Sequence, residues 1–198
     1  MYEELRDGRS KQRACALVRF FVTRSFERLE AELQACASEL LVDQQPHPHM
    51  KSLVLAGTAG VKPEWNDLRA SKGHRAIPLV SSAMVERLPM ISQLIRQFGL
   101  EVRTLLEPDP ALLVDLEQRS YNVFHVPEAR GSPFVPVQES FVIPYGIRSV
   151  VGFGGLFPSG NLFAVILFTT VAIPRQTADL FAPLALSVKL AVLPFEDR

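Results

Sequence analysis

The stretch SVVGFGGLFPSGNLFAVILFTT, Ser149 to Thr170, carries no charged residue and constrains this chain more than any other segment. About 20 apolar residues suffice to cross a bilayer as a helix, so length alone admits a membrane span. The dense turn signal Pro158-Ser159-Gly160-Asn161 splits the run in two and argues against a span. Each half is rich in Val, Ile, Phe and Leu, which favour strands, and two such runs around a short turn predict a β-hairpin. Both alternating faces are apolar. Val150 and Leu156 lie on one, and Val151, Phe153 and Phe157 on the other. The second run repeats this with Leu162, Ala164, Ile166 and Phe168 against Phe163, Val165 and Leu167. Such a hairpin needs cover on both sides, which predicts a central position in a sheet. Gly152, Gly154 and Gly155 do not make a phosphate loop, because no Gly-Lys-Ser/Thr follows and the GxGxxG spacing fails at Phe157. They fit a bulge or a close backbone approach, or else a ligand lying against bare backbone.

The remaining composition sets the class. With 198 residues, 47% of them hydrophobic, the chain can bury one sizeable core plus an extra helix. A formal net charge of zero predicts no nucleic-acid footprint. No positive region precedes an apolar run at the start, so no signal peptide is expected, and a cytoplasmic location without membrane association is. The two cysteines, Cys15 and Cys36, are expected as reduced thiols on one helix, too far apart along it to bond.

Ser10 to Asp43 lacks Gly and Pro and is rich in Arg, Glu, Ala, Leu and Gln, which predicts one long helix. Phe26, Leu29, Leu33, Cys36 and Leu40 recur at alternating three- and four-residue intervals, a heptad-like stripe. That stripe packs either on its own domain or against a second copy. The expected organisation is therefore a packing or dimerisation helix in residues 1–43 and a domain in residues 44–198. Strands are expected at Ser52–Ala56 and His74–Val80. A helix from Ser82 to Phe98 follows, capped by Ser81 or Ser82, with a kink or late start at Pro89. Asp109 and Pro110 should open another helix, carrying Leu112, Leu113 and Leu116 on its buried side. Tyr121 to Val126 reads as a short strand. Pro174 opens a last helix to about Leu193, apolar almost all round and kinked at Pro183. The order predicts an α+β fold, an antiparallel sheet with helices on both sides.

FHVPEARGSPFVP, then FVIPYGIRSVVGFGGLFPSGNLFAVILFTT, then PRQTADLFAPLALSVKLAV resembles the second half of a GAF domain. Val126-Pro127-Glu128 resembles the Val-Pro-Asp-like motif that ends a short strand in that family. Gly146-Ile147-Arg148-Ser149 resembles the Gly-hydrophobic-Arg-Ser motif that opens the next strand. The resemblance covers roughly residues 40–195 and is looser over its first half. It implies a PAS-like, profilin-type central antiparallel sheet of six strands, with terminal helices on one face and a small-ligand pocket on the other. It also implies a non-enzymatic sensory module of the kind found before histidine kinase, cyclase or transcription-activator modules, often dimerised through its terminal helices. No kinase, cyclase or hydrolase motif is present, so an output module would lie on another chain or beyond these ends. A ligand-free dimerisation or interaction module is the alternative. The enzymatic free methionine sulfoxide reductases of this group use cysteines near the pocket, which the expected placement of Cys15 and Cys36 does not match. The cyclic-nucleotide signature Asn-Lys-Phe-Asp-Glu and a phytochrome-type chromophore cysteine are both missing. No cofactor is indicated.

Tyr121, Phe124, His125, Phe134, Tyr145 and Arg148 are the candidate pocket lining, apolar walls with a few polar groups. Arg148 opens a very apolar hairpin. Its charge is expected to pair with Glu128 or Glu139, or to grip an anionic ligand. His125 is either a haem or metal ligand or a hydrogen-bonded strand-end histidine. Trp65 either lids the pocket or covers the sheet edge. His47 and His49 flank Pro48 in an expected linker, short of the ligands a metal needs.

Overall fold

The computed structural model describes residues 2–8, 10–41, 45–71, 74–108 and 122–196. Its clearest departure from expectation comes first in the chain. Cys15–Ser25 is a strand, β1, not the start of a long helix. A one-turn helix at Phe26–Arg28 follows, and among the described residues of this region one α-helix, α1, spans Ala31–Glu39. The separate helical unit expected for residues 1–43 is therefore not there. β1 has the composition of a strand, with Val18, Phe20, Phe21, Val22 and Thr23 in succession. It pairs antiparallel with a strand on each side and has apolar cover on both faces. That tertiary setting overrides the helix propensity of its neighbours.

The other strands are β2 (Lys51–Gly60), β3 (Ala76–Leu79), β4 (Val123–Val126), β5 (Ser149–Leu156) and β6 (Leu162–Thr169). They form one six-stranded antiparallel sheet in the order β3-β2-β1-β6-β5-β4. The uncharged stretch is the β5–β6 hairpin, registered from Ser149 opposite Thr169 to Leu156 opposite Leu162. Gly160 takes the left-handed conformation at its turn, with φ of +79°. Both strands are buried along their whole length, as two-faced apolar strands must be.

Helices α2 (Ser82–Glu86), α3 (Pro89–Gln97) and α4 (Val102–Leu106) cover one face. The Ser81 side chain accepts a hydrogen bond from the Met84 N–H and caps α2. Pro89 starts a new helix, since it has no N–H to donate to the preceding turn. Val85, Ile95 and Phe98 lie fully buried against Leu17, Phe21, Ala164 and Ile166 of the sheet. Each such side chain contributes about 1.5–3 kcal/mol by leaving water. The helix expected from Asp109 falls outside the described residues.

The second face is covered by α1 and by the C-terminal helices α5 (Arg175–Asp179) and α6 (Ala182–Val192). Leu29, Leu33 and Cys36 of the stripe pack onto Val22, Phe163 and Val165, so the stripe seals the chain's own core. The last helix is divided at Leu180 and Phe181, just before Pro183, which opens α6 rather than kinking it. The run Arg175–Phe195 is long and apolar enough to cross a membrane by length and composition, with mean hydropathy 1.6. Here one side of it lies on the sheet through Ala185, Val188 and Val192. Its outer side is bare: Leu186, Leu190 and Leu193 form an exposed stripe, continued by Leu180 and Phe195. Among the described residues, the expected cover on more than one side is thus missing.

Candidate functional site

The first sheet face, between β1 and the loops on either side, holds the most unusual group of side chains. Its inward residues form three rows across the strands. The first runs Gly60, Leu17, Phe168, Val150, Val126; the second Thr58, Arg19, Ile166, Gly152, Phe124; the third Leu55, Phe21, Ala164, Gly154. Arg19 is the single charged residue among them. It stands on the central strand with aliphatic and aromatic side chains before and after it. Its Nε is buried and has no hydrogen-bond partner. Burial alone pushes the guanidinium below its ordinary pKa, with no carboxylate acting against it.

An aromatic cover lies on the first row. After β2 ends at Gly60, a short helical turn at Pro63–Asn66 folds Trp65 back over the sheet. The Asn66 side chain holds this turn, accepting from the Gly60 N–H at 2.9 Å and donating to the Gly60 and Lys62 carbonyls at 3.0 and 2.8 Å. The Thr58 hydroxyl donates to the Trp65 carbonyl at 2.8 Å. Gly60 is required here, since a Cβ would stand 2.8 Å from the indole. From the other side, the π-helical turn Gln138–Val142 and the residues after it bring Phe141 and Tyr145 against Trp65. Ring centroids are 5.5 and 4.6 Å away, both edge-on. Phe141 also packs edge-on against Phe168 at 5.1 Å. Lys62 lies over the Tyr145 ring at 4.9 Å, and its hydrogen bond to Tyr145 raises its pKa.

The six expected pocket residues do not share one site. Tyr145 belongs to the aromatic cover. Phe124 is fully buried in the core opposite Gly152. His125 is a hydrogen-bonded strand histidine. Its Nε2 lies 2.7 Å from the Ile173 carbonyl, while its backbone N–H donates to Gln97 Oε1 at 2.8 Å and its carbonyl accepts from Gln97 Nε2. His125 and Phe134 line an open groove of about 410 Å³ with Gln97, Pro127, Glu128 and Arg130. The Arg148 side chain is exposed, and no ion pair with Glu128 or Glu139 is found among the described residues. A strand-end position gives it water, which removes the need for a counter-charge. Tyr121 lies outside the described residues. Trp65 covers the sheet face rather than its edge. His47 and His49 line a second groove, of about 500 Å³, with Lys51, Ser81 and Arg103. Among the described residues, no three His, Cys, Asp or Glu side chains cluster as metal ligands do. Arg19 escaped the sequence reading because a helix through Ser10–Asp43 would place it among solvated charges. The signal for it was an isolated arginine inside ALVRFFVT, a run of strand formers.

Both cysteines are free. Cys15 faces the second core from β1, not from a helix, and its thiol contacts the Leu17 and Phe168 carbonyls at 3.2 and 3.4 Å. Burial pushes its pKa from 9.0 up to about 11. The folded state thus holds the thiol proton more tightly than the unfolded chain does. The associated stability is intact below pH 9.0 and is lost as pH rises toward about 11. The loss amounts to about 2–3 kcal/mol. Urea denaturation of wild type and Cys15→Ala across that window should show the wild type alone losing this increment. Parallel pH profiles would contradict it.

A third polar group ties the C-terminal end of the helices to the hairpin. Glu196 accepts from the Asn161 side chain at 3.1 Å and from the Ser159 hydroxyl at the hairpin turn. Lys51 of β2 reaches the same Asn161 at 2.5 Å, and Arg24 of β1 donates to the Phe195 carbonyl at 3.2 Å. β1 and the β5–β6 turn thereby hold the residues that follow α6, and Lys51 of β2 braces that turn.

Comparison with protein-family models, with curated proteins and with solved structures gives no match for this chain.

Proposed function

We propose that this chain is a GAF-like, non-enzymatic sensor domain of the cytoplasm. It binds a small molecule on the first sheet face and relays its state through the C-terminal helices to a signalling output module such as a histidine kinase. The observation that carries the reading is Arg19, a half-buried charged side chain whose Nε has no partner among the described residues, set in an apolar sheet face beside the Trp65–Phe141–Tyr145 cover. Apolar walls with one or two well-placed polar groups are what small-ligand sites generally present. The six-stranded antiparallel sheet, with α1, α5 and α6 together on one face, agrees with the architecture that the resemblance implies. The bonds from Glu196 and Phe195 to the hairpin and to β1 supply a physical route from the sheet to the end of α6. Trp65 is the only tryptophan, so its emission reports on this face. Titration with a protein-free, low-molecular-mass extract of the host cells should change that emission saturably, and dialysis should reverse it. An emission that ignores the extract would contradict the reading.

A second reading, a dimerisation module without a ligand, is favoured by the bare outer stripe of α6. Leu190 is 62% exposed, as are neighbours on the same side to lesser degrees. Pairing with a second copy would cover a patch that monomers rarely leave in water. The same pairing serves the sensor reading, because it brings two output modules together. The chain should sediment as a dimer at tens of micromolar. Leu190→Glu should weaken association by at least about tenfold. Its fold should be unchanged, since Leu190 has little to lose in the single chain. A wild-type monomer at that concentration would contradict the dimer.

A further inference from the structure

We infer that Arg19 is the anchor for an oxyanion, a carboxylate or phosphate carried on a small apolar molecule. This rests on the sensor reading above and names the chemistry of its ligand. A guanidinium stays protonated in proteins and has donors but no acceptor. Arg19 is half-buried, and its Nε is out of water without an acceptor, which leaves that donor unsatisfied in the fold. Among the described residues, the other two buried side-chain polar atoms without partners are Ser52 Oγ and Arg24 Nη1, and Arg24 is held through its Nη2. Among the described residues Arg19 has no such hold. The orphaned atom is Nε, which with one Nη forms the side-on edge of the fork. That edge presents two parallel N–H donors, the spacing that the two oxygens of a carboxylate or phosphate accept.

Position narrows the ligand further. Arg19 lies one pleat along β1 from Leu17, whose row carries Phe168 beneath Phe141 and Gly60 beneath Trp65. Its cross-strand neighbour Thr58 is bonded to the Trp65 carbonyl. A molecule gripped at Arg19 would meet aromatic rings on that side and Ile166 and Phe124 along its own row. The anion therefore belongs on a body that is flat or aliphatic, with little polarity of its own.

The test is thermal unfolding of the full, dialysed chain and of Arg19→Met and Arg19→Lys. The additives, at millimolar concentration, are benzoate, hexanoate and phenyl phosphate, each against its neutral amide or alcohol. At least one anion should raise the wild-type Tm by about 2–4 °C. Its neutral counterpart should not, and Arg19→Met should not respond. Arg19→Lys should respond weakly, because it keeps the charge without the fork. A response to the carboxylates alone, or to phenyl phosphate alone, assigns the headgroup. Without additive, Arg19→Met should melt at or above the wild-type temperature, since it removes a half-buried charge whose Nε has no acceptor. A Tm several degrees below wild type in that state would make Arg19 a structural residue and overturn the inference. So would a panel in which no anion separates wild type from Arg19→Met. If Trp65 emission still answers the cell extract in that case, the sensor reading stands and the oxyanion site alone falls.

Discussion

Gly154→Ala is expected to remove more than about 4 kcal/mol of stability, enough to leave the chain largely unfolded at room temperature. Gly154 sits midway along β5, opposite Ala164 on β6. A Cβ there would stand 2.0 Å from the Phe163 carbonyl oxygen and 2.9 Å from both the Ala164 Cα and the Phe98 ring. Two of those three atoms are backbone of the paired strand, so no side-chain rotation relieves the contact. Relief requires parting the central hairpin or lifting the end of α3, and either exposes the core around Phe98 and Ala164. Gly8→Ala is the control, because nothing lies within 4 Å of the added carbon. Urea denaturation of both variants checks the claim. A Gly154 variant within about 1 kcal/mol of wild type would mean that α3 and the hairpin do not pack as described.

The double replacement Leu29→Glu with Leu33→Glu is expected to unfold the chain rather than to separate a dimer. Leu29 is buried beside β1, and Leu33 packs on the same second core as Val22, Phe163 and Val165. A buried carboxylate at Leu29 and a half-buried one at Leu33, together with the loss of both leucine contacts, remove about 4–5 kcal/mol. Circular dichroism and sedimentation distinguish the outcomes. Loss of the cooperative folding transition is the expected result. A folded monomer produced from a wild-type dimer would restore the leading-helix seam that the strand assignment removes.

These two sites also mark what was legible. The hairpin could be read because Pro158–Asn161 is a strong local breaker and both runs are apolar at every parity, which no amphipathic helix is. The role of its glycines as places of close approach was legible for the same reason. The first forty residues misled because the strand-to-helix junction at Ser25 carries no Gly or Pro. The stripe from Phe26 to Cys36 is real, but it belongs to one turn and a short helix whose partner is the sheet itself. Extending that helix backwards hid β1, and with it the central strand and Arg19. Arg148 attracted notice because it opens an apolar run, yet a strand end leaves a long side chain free to reach water. Arg19 lies within the equivalent run on β1, where the side chain is half-buried and its Nε is shut off from water. Tyr145 was found from its turn, whereas its partnership with Trp65 joins loops far apart in sequence. No periodicity encodes that contact.

Native mass spectrometry of the gently purified chain beside Arg19→Met reads a bound molecule directly. The wild type should carry an additional small-molecule mass, lost on denaturation, and Arg19→Met should not. Bare chains in both samples, with masses matching the denatured protein, would contradict it.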